Sequence, residues 1–182
     1  MTGAVAVSYE IVMGCRTCWR RSGNLLLNRV RPVGENAVTS QWQYQVRFEV
    51  NDSATAESIR RNLRDPALVP LFDILANHRA APKCQFDAFA EYVAAAEEYG
   101  VESYALYQWT KATIEDSAKK DKYLKSFTLY VDDREIYAKE VADALEADLQ
   151  PLVTSGTIKR MSKYDTNPAN NPQPPQRLRE RG

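Results

Sequence analysis

The chain has 182 residues, of which 44% are hydrophobic and 26% are charged, and its formal net charge is zero. This length and composition favour one globular domain, with or without a tail. Three cysteines are too few for a disulfide framework, so the small disulfide-stapled class of protein is excluded.

Charge is distributed unevenly along the chain. Residues 1–50 carry a net charge of +3, residues 51–150 carry −7, and residues 151–182 carry +4. Basic ends around an acidic middle suit head-to-tail self-association or contact with a polyanion. Separate faces of one globule explain the same pattern equally well.

The sequence contains no apolar run long enough to span a membrane, so no membrane partner is expected. The N-terminus lacks a basic segment before its apolar residues and is typical of a strand, not of a signal peptide. We therefore expect a protein with reduced thiols that is not secreted by a signal peptide. It would be cytoplasmic or assembled into a particle that is made inside the cell.

The N-terminal region predicts an antiparallel meander of three strands. Val5 to Met13 and Gln41 to Val50 alternate apolar and polar residues, and Leu25 to Val30 is a shorter candidate strand. Because side chains of a strand point alternately to its two faces, the third strand has one apolar and one polar face. The apolar face comprises Trp42, Tyr44, Val46, Phe48 and Val50, and the polar face comprises Gln41, Gln43, Gln45, Arg47 and Glu49.

After Val50 the period of the apolar residues becomes helical. Capping residues and prolines place the boundaries, because Asp and Ser cap helix starts and Pro favours the first turn. Four helices are predicted: one capped by Asp52 or Ser53, one from Asp65-Pro66 to before Pro82, one around Phe86 to Ala94 closed by Gly100, and one from about Ser103 to Lys120.

The last unit is predicted to be strand–helix–strand. Phe127 to Val131 alternates as a strand, and Asp132 with Glu135 resembles a capping box at the start of a helix. Pro151 is expected to end or kink that helix, and residues 157–163 form a closing strand. The Pro- and Asn-rich residues 165–182 form a basic C-terminal tail, so the predicted organisation is one α+β domain over residues 1–164 and a tail over 165–182.

Cys15-x-x-Cys18 is the sharpest short motif. A zinc site would need two further ligands, and the chain offers Cys84 and His78 for them. A redox role would require the motif at a helix start, but it lies between two predicted strands. Two incidental loop cysteines remain the third interpretation, and we predict no metal or other cofactor.

Arginine and tryptophan are concentrated in the loop that contains these cysteines. Arg forms bidentate contacts with phosphate and carboxylate, and Trp and Arg dominate interface hot spots. A solvated hairpin explains the loop as well, but this is where we expect a partner to bind. The predicted partner-binding residues are Arg16, Trp19, Arg20, Arg21, Arg29 and Arg31 in this region and Arg177, Arg179 and Arg181 in the tail.

No catalytic or phosphate-binding motif is present in the sequence. The predicted fold class is α+β, an antiparallel sheet built from the N-terminal meander and the C-terminal strand–helix–strand unit, with helices packed mainly on one face. The predicted function is a non-enzymatic assembly or adaptor subunit of a larger complex, such as a virion component, with other protein subunits or itself as partners. A nucleic-acid-binding accessory protein that uses the arginine loop is the alternative, and an enzyme is the third hypothesis.

Overall fold

The computed structural model describes residues 42–63, 65–167 and 169–170. Within them, four strands form one antiparallel sheet in the order β2-β3-β1-β4. This confirms the predicted α+β class, although the first two strands of the predicted meander lie outside the described residues. The strands are β1, Tyr44–Glu49; β2, Ala80–Cys84; β3, Ser126–Val131; and β4, Arg160–Asp165.

Helices connect the strands in two interleaved units. The chain passes from β1 through two helices to β2, and from β3 through one helix to β4, so each unit brackets a strand of the other unit. This is the split β-α-β topology of ferredoxin-like folds, with three further helices inserted between β2 and β3. The helices are α1, Ser53–Arg60; α2, Val69–Asn77; α3, Gln85–Tyr99; α4, Tyr107–Glu115; α5, Ser117–Leu124; and α6, Lys139–Thr154.

The main core lies between the apolar face of the sheet and α1, α2 and α6. Phe48 and Phe127 face each other on neighbouring strands, and their stacked ring centroids lie 5.2 Å apart. The alternation that predicted the apolar face is confirmed for Val46, Phe48 and Val50, which are buried, whereas Tyr44 is half-buried. The helices contribute Ala56, Ile59, Leu71, Leu75, Ala142, Leu145 and Leu149.

The inserted helices form a second, smaller cluster. The ring of Phe89 on α3 packs edge-on against Trp109 of α4 and Tyr123 of α5, with centroids 5.6 and 4.9 Å apart. Because α3 follows β2 directly and α5 precedes β3 directly, this cluster is attached at one end of the β2–β3 pair.

Two predicted helix starts are confirmed by their caps. The Asp52 carboxylate accepts a hydrogen bond from the Thr55 N–H at 2.8 Å and caps α1. Asp65 accepts from the Ala67 N–H at 2.9 Å and caps a short 3-10 turn, Pro66–Leu68, that leads into α2. Short polar side chains before a helix satisfy its first amide groups.

Several predicted boundaries are wrong. A strand, β2, occupies residues where none was predicted, since Ala80 to Cys84 do not alternate and include Pro82. The single helix predicted from Ser103 to Lys120 is two, because Asp116 leaves the helical conformation and caps α5 through the Ala118 and Lys119 N–H groups. In addition, Pro151 does not end α6, which continues three residues past it; the alternative expectation of a kink at Pro151 stays a prediction.

The predicted capping box at Asp132 and Glu135 is also wrong, because α6 begins only at Lys139. Asp132 and Asp133 instead occupy the centre of a two-residue hairpin turn, and both have positive φ, 49° and 60°. Val131 and Arg134 exchange both of their backbone hydrogen bonds across this turn, each at 2.9 Å. Two successive left-handed residues define a type I′ turn, whose twist matches that of paired strands.

Candidate functional site

The face of the sheet that points away from the main core carries polar side chains, which we call the polar sheet face. In the centre, Arg47 of β1 lies between Thr128 of β3 and Ser162 of β4. In the next row, Glu49 lies between Ser126 and Arg160. The polar sheet face comprises Gln45, Arg47 and Glu49 of β1, Ser126 and Thr128 of β3, and Arg160, Ser162 and Tyr164 of β4.

Glu49 is only 7% exposed and lies between two cations. Arg160 donates its Nε–H to Glu49 Oε2 at 2.6 Å, and Lys159 Nζ donates to Oε1 at 3.0 Å. Burial opposes ionisation of this carboxyl, but the hydrogen bonds from Lys159 and Arg160 outweigh it and hold the pKa of Glu49 below its ordinary value. The polar sheet face therefore carries an ionised carboxylate whose negative charge is balanced by Lys159 and Arg160.

Gln45 is fully buried, although its position in the alternation predicted an exposed residue. Its amide Nε2 donates to the Glu135 carboxylate at 2.8 Å, and its Oε1 accepts from the Arg47 Nε–H. Glu135 belongs to the segment between β3 and α6, which covers this end of the face. Burial raises the pKa of Glu135, because the neutral Gln45 and the nearby Arg47 compensate only part of the lost hydration.

Arg47 also packs on an aromatic ring. Its guanidinium carbon lies 5.0 Å from the centroid of the Tyr164 ring, within the range of a cation–π contact. Because Gln45 holds the Arg47 guanidinium from the same strand, the position of Arg47 over Tyr164 is fixed from two sides.

Helices α3 and α5 cover the β3 side of the polar sheet face. Gln85, the first residue of α3, donates to the Thr128 hydroxyl at 3.3 Å, and Ser126 donates its hydroxyl to the Lys122 carbonyl at 2.9 Å. A shallow cleft remains between α5 and β4. Its lining includes Arg47, Glu49, Gln85, Lys122, Arg160 and Tyr164.

The outer edge of β4 is a second distinctive feature. Thr166 donates its N–H to the Gln43 carbonyl at 2.8 Å, and backbone groups alternate between the two sides of an antiparallel strand. Tyr164 and Ser162 therefore turn their backbone groups toward β1, whereas Lys163 turns its groups outward. In agreement, Val46 opposite Lys163 donates its N–H away from β4, to the Tyr137 hydroxyl at 2.8 Å. Within the part of the chain that is described, no strand pairs with this outer edge.

The sequence-predicted partner-binding residues lie outside the described residues, so their placement stays a prediction. This applies to Arg16, Trp19, Arg20, Arg21, Arg29 and Arg31, to Arg177, Arg179 and Arg181 of the tail, and to Cys15 and Cys18.

The other two candidate zinc ligands are described and lie at opposite ends of β2. Cys84 is buried in the main core, where its thiol points to the Tyr123 carbonyl at 3.6 Å, and burial raises its pKa. His78 follows α2, and its Nε2 lies 2.7 Å from Asp148 Oδ2 of α6. These contacts link elements of the core. Among the described residues, no group of three or more His, Cys, Asp or Glu side chains could hold a metal ion.

The alternation along β1 predicted Arg47 and Glu49 on a polar face but did not reveal their partners. The alternation of R-M-S-K-Y-D in β4 was a usable signal, since it places Arg160, Ser162 and Tyr164 on one face. Glu135 gave no such signal, because it contacts Gln45 from a position 90 residues along the chain.

None of the described helices has the length and apolar character needed to cross a bilayer. Comparison of the chain with protein-family models, with curated proteins and with solved structures finds no match.

Proposed function

We propose that this chain is a non-catalytic assembly subunit, which joins a second protein chain by adding a strand to the outer edge of β4. The partner can be another copy of the chain. The observation that supports this proposal is the outer edge of β4. The strand has six residues and contains neither Pro nor Gly. Among residues 42–63 and 65–167, no strand pairs with its outward backbone groups. Unpaired N–H and C=O groups on such an edge form a template for another strand.

The opposite edge of the sheet supports this choice by contrast. Strand β2 carries Pro82 in its middle, and a proline has no N–H to donate to an added strand. Edge prolines and outward lysines are two devices by which proteins block unwanted pairing. The single lysine of β4 does not protect its edge in this way, because the Lys163 ammonium bonds to Asp143 and Glu146 of α6.

The arginine loop and the basic tail, as predicted from the sequence, supply further contact regions for the same partner. Their charge is opposite to that of the acidic middle of the chain. Complementary charges accelerate and orient the association of two protein surfaces.

The proposal is tested by size-exclusion chromatography with light scattering on the wild type and two variants at micromolar concentration. Lys163→Pro removes a backbone N–H that points outward from the sheet. It leaves the hydrogen bonds between β4 and β1 intact, because Lys163, although opposite Val46, donates none of them. Lys163→Ala is the matched control, because it removes the ion pairs to α6 but keeps the N–H.

We expect a dimer or larger species for the wild type and for Lys163→Ala, and a monomer for Lys163→Pro with an unchanged circular dichroism spectrum. A wild type that is strictly monomeric and retains no partner in a pull-down would contradict the proposal. So would a Lys163→Pro variant that assembles like the wild type.

A further inference from the structure

The outer edge of β4 presents the backbone groups of Met161 and Lys163, which alternate with residues bonded to β1. This outward row does not extend to Lys159, because the Lys159 N–H donates inward to the Glu49 carbonyl at 2.8 Å. At the other end, the Asp165 carboxylate accepts the N–H two residues later at 2.9 Å, where the chain leaves the sheet. A strand added at this edge therefore bonds mainly to Met161 and Lys163.

The two ends of β4 carry opposite charges. Lys159 and Arg160 lie at its start, and Asp165 is its last residue. Opposite charges on facing residues of paired strands stabilise the pair, and like charges destabilise it. A second β4 in the antiparallel direction places basic ends beside acidic ends, whereas a parallel one places like ends together. The strand is therefore complementary to an antiparallel copy of itself.

One register of two antiparallel β4 strands suits both features. It places Met161 of each copy opposite Lys163 of the other, so the outward groups of these residues form four hydrogen bonds. Ser162 then faces Ser162 of the second copy, and Asp165 faces Lys159. A shift of two residues in either direction instead places Lys163 opposite Lys163 or opposite Lys159 of the second copy. These shifted registers bring like charges together.

The side chains along this edge leave room for a second strand. The Lys163 ammonium bonds to Asp143 and Glu146 of α6, and only 23% of its side chain is exposed, so it lies along its own helix. Its alkyl stem then lies beside Met161 of the second copy, and such stems pack well on apolar groups. On the other face of the sheet, the two facing residues are the small Ser162 side chains.

We propose that β4 pairs with β4 of a second copy of this chain, antiparallel, about a two-fold axis beside Ser162. The two sheets then form one sheet of eight strands in the order β2-β3-β1-β4-β4-β1-β3-β2. Because a two-fold contact uses the same surface on both copies, it closes as a dimer. This pairing rests on the assembly role proposed above, for which it names the partner and the register.

Disulfide crosslinking of the full chain tests the register. The background carries Cys15→Ser and Cys18→Ser, and Cys84 is retained because it is buried. Facing residues that are not hydrogen-bonded have Cα atoms about 4.5 Å apart, which is within the range of a disulfide. Ser162→Cys therefore places two thiols at bonding distance on the axis. Tyr164→Cys is the control on the same face, because its two copies lie about 14 Å apart in this register.

We expect oxidised glutathione to convert Ser162→Cys to a covalent dimer at about ten times the yield of Tyr164→Cys. Adding Lys163→Pro to Ser162→Cys should abolish the crosslink, since it removes an outward N–H. Light scattering should give the wild type twice the 20.6 kDa of one chain, and no larger species.

The outcomes separate this pairing from the assembly role itself. If Lys163→Pro dissociates the wild-type assembly but Ser162→Cys does not crosslink, the assembly role stands and this register is wrong. Equal crosslinking of Ser162→Cys and Tyr164→Cys also overturns the register. A wild type that is monomeric alone, but binds a different protein in a manner that Lys163→Pro abolishes, overturns the second copy as partner. A wild type that is monomeric and binds no partner overturns both proposals.

Discussion

Glu49 and Glu135 border the same face of the sheet, yet their pKa values are displaced in opposite directions. Burial opposes ionisation of both carboxyls. At Glu49 the charged Lys159 and Arg160 donate directly and outweigh burial, whereas the neutral amide of Gln45 does not do so at Glu135. The two residues should therefore respond oppositely to pH and to neutralising substitution.

Glu49→Gln should lower the free energy of unfolding at neutral pH by about 1–2 kcal/mol, because it removes charge-assisted hydrogen bonds in a buried position. A carboxyl whose pKa is lowered in the folded state stabilises the fold at pH values above its ordinary pKa of 4.5. This contribution is lost as the pH falls through the pKa of the folded state. Urea unfolding should thus show a difference from the wild type at neutral pH that shrinks as the pH is lowered below 4.5.

The control for this measurement is Glu57→Gln on α1, whose carboxylate pairs with Arg60 and Arg61 at an exposed position. Exposed ion pairs contribute little, so its cost should be below about 0.5 kcal/mol. Equal costs for Glu49→Gln and Glu57→Gln would show that the buried cluster contributes no more than a surface pair.

Glu135→Gln should have the opposite sign. A carboxyl whose pKa is raised in the folded state destabilises the fold at high pH. The destabilisation grows as the pH rises from 4.5, the ordinary pKa of the carboxyl, through the pKa of the folded state. A glutamine still accepts from Gln45 without a buried charge, so the free energy of unfolding at neutral pH should rise by about 1 kcal/mol. The gain should vanish near pH 4 in the same urea series. A loss of stability at neutral pH would mean that attraction to Arg47 outweighs burial.

The hairpin after β3 is expected to tolerate glycine better than aspartate. Asp133 has a φ of 60°, a conformation that costs a residue with a Cβ but not glycine. Asp133→Gly should therefore raise the free energy of unfolding by about 0.5–1 kcal/mol, and Asp133→Ala should lower it. Thermal unfolding measures both variants, and an alanine variant more stable than the glycine variant would refute the assignment of the turn.

Features of this fold that depend on residues close together in the chain were predictable from the sequence, and those that depend on distant residues were not. The alternation around β1 was sufficient to predict Val46 and Phe48 in the core, and the Asp52 and Asp65 caps were readable because each acts within three residues. Burial of Gln45 and Glu49 was not predictable in this way, since their partners, among them Glu135 and Lys159, follow 90 and 110 residues later.

Strand β2 illustrates a different limit. Ala80 to Cys84 lack the alternation of a half-buried strand, and Pro82 argues against a strand by propensity. At the edge of a sheet the missing N–H of Pro82 is not a difficulty, because the outward backbone groups of an edge strand need no partner strand. Whether a strand is an edge is decided by the rest of the sheet, so local sequence could not reveal it.

Amide hydrogen exchange of β4 at low and high protein concentration distinguishes strand addition at its outer edge from assembly through another surface. The Met161 and Lys163 N–H groups turn outward, so they should exchange rapidly in the dilute monomer and become protected on assembly. The N–H groups of Ser162 and Tyr164, which face β1, should be protected at both concentrations. Rapid exchange of Met161 and Lys163 in a fully assembled sample would contradict strand addition at the edge of β4.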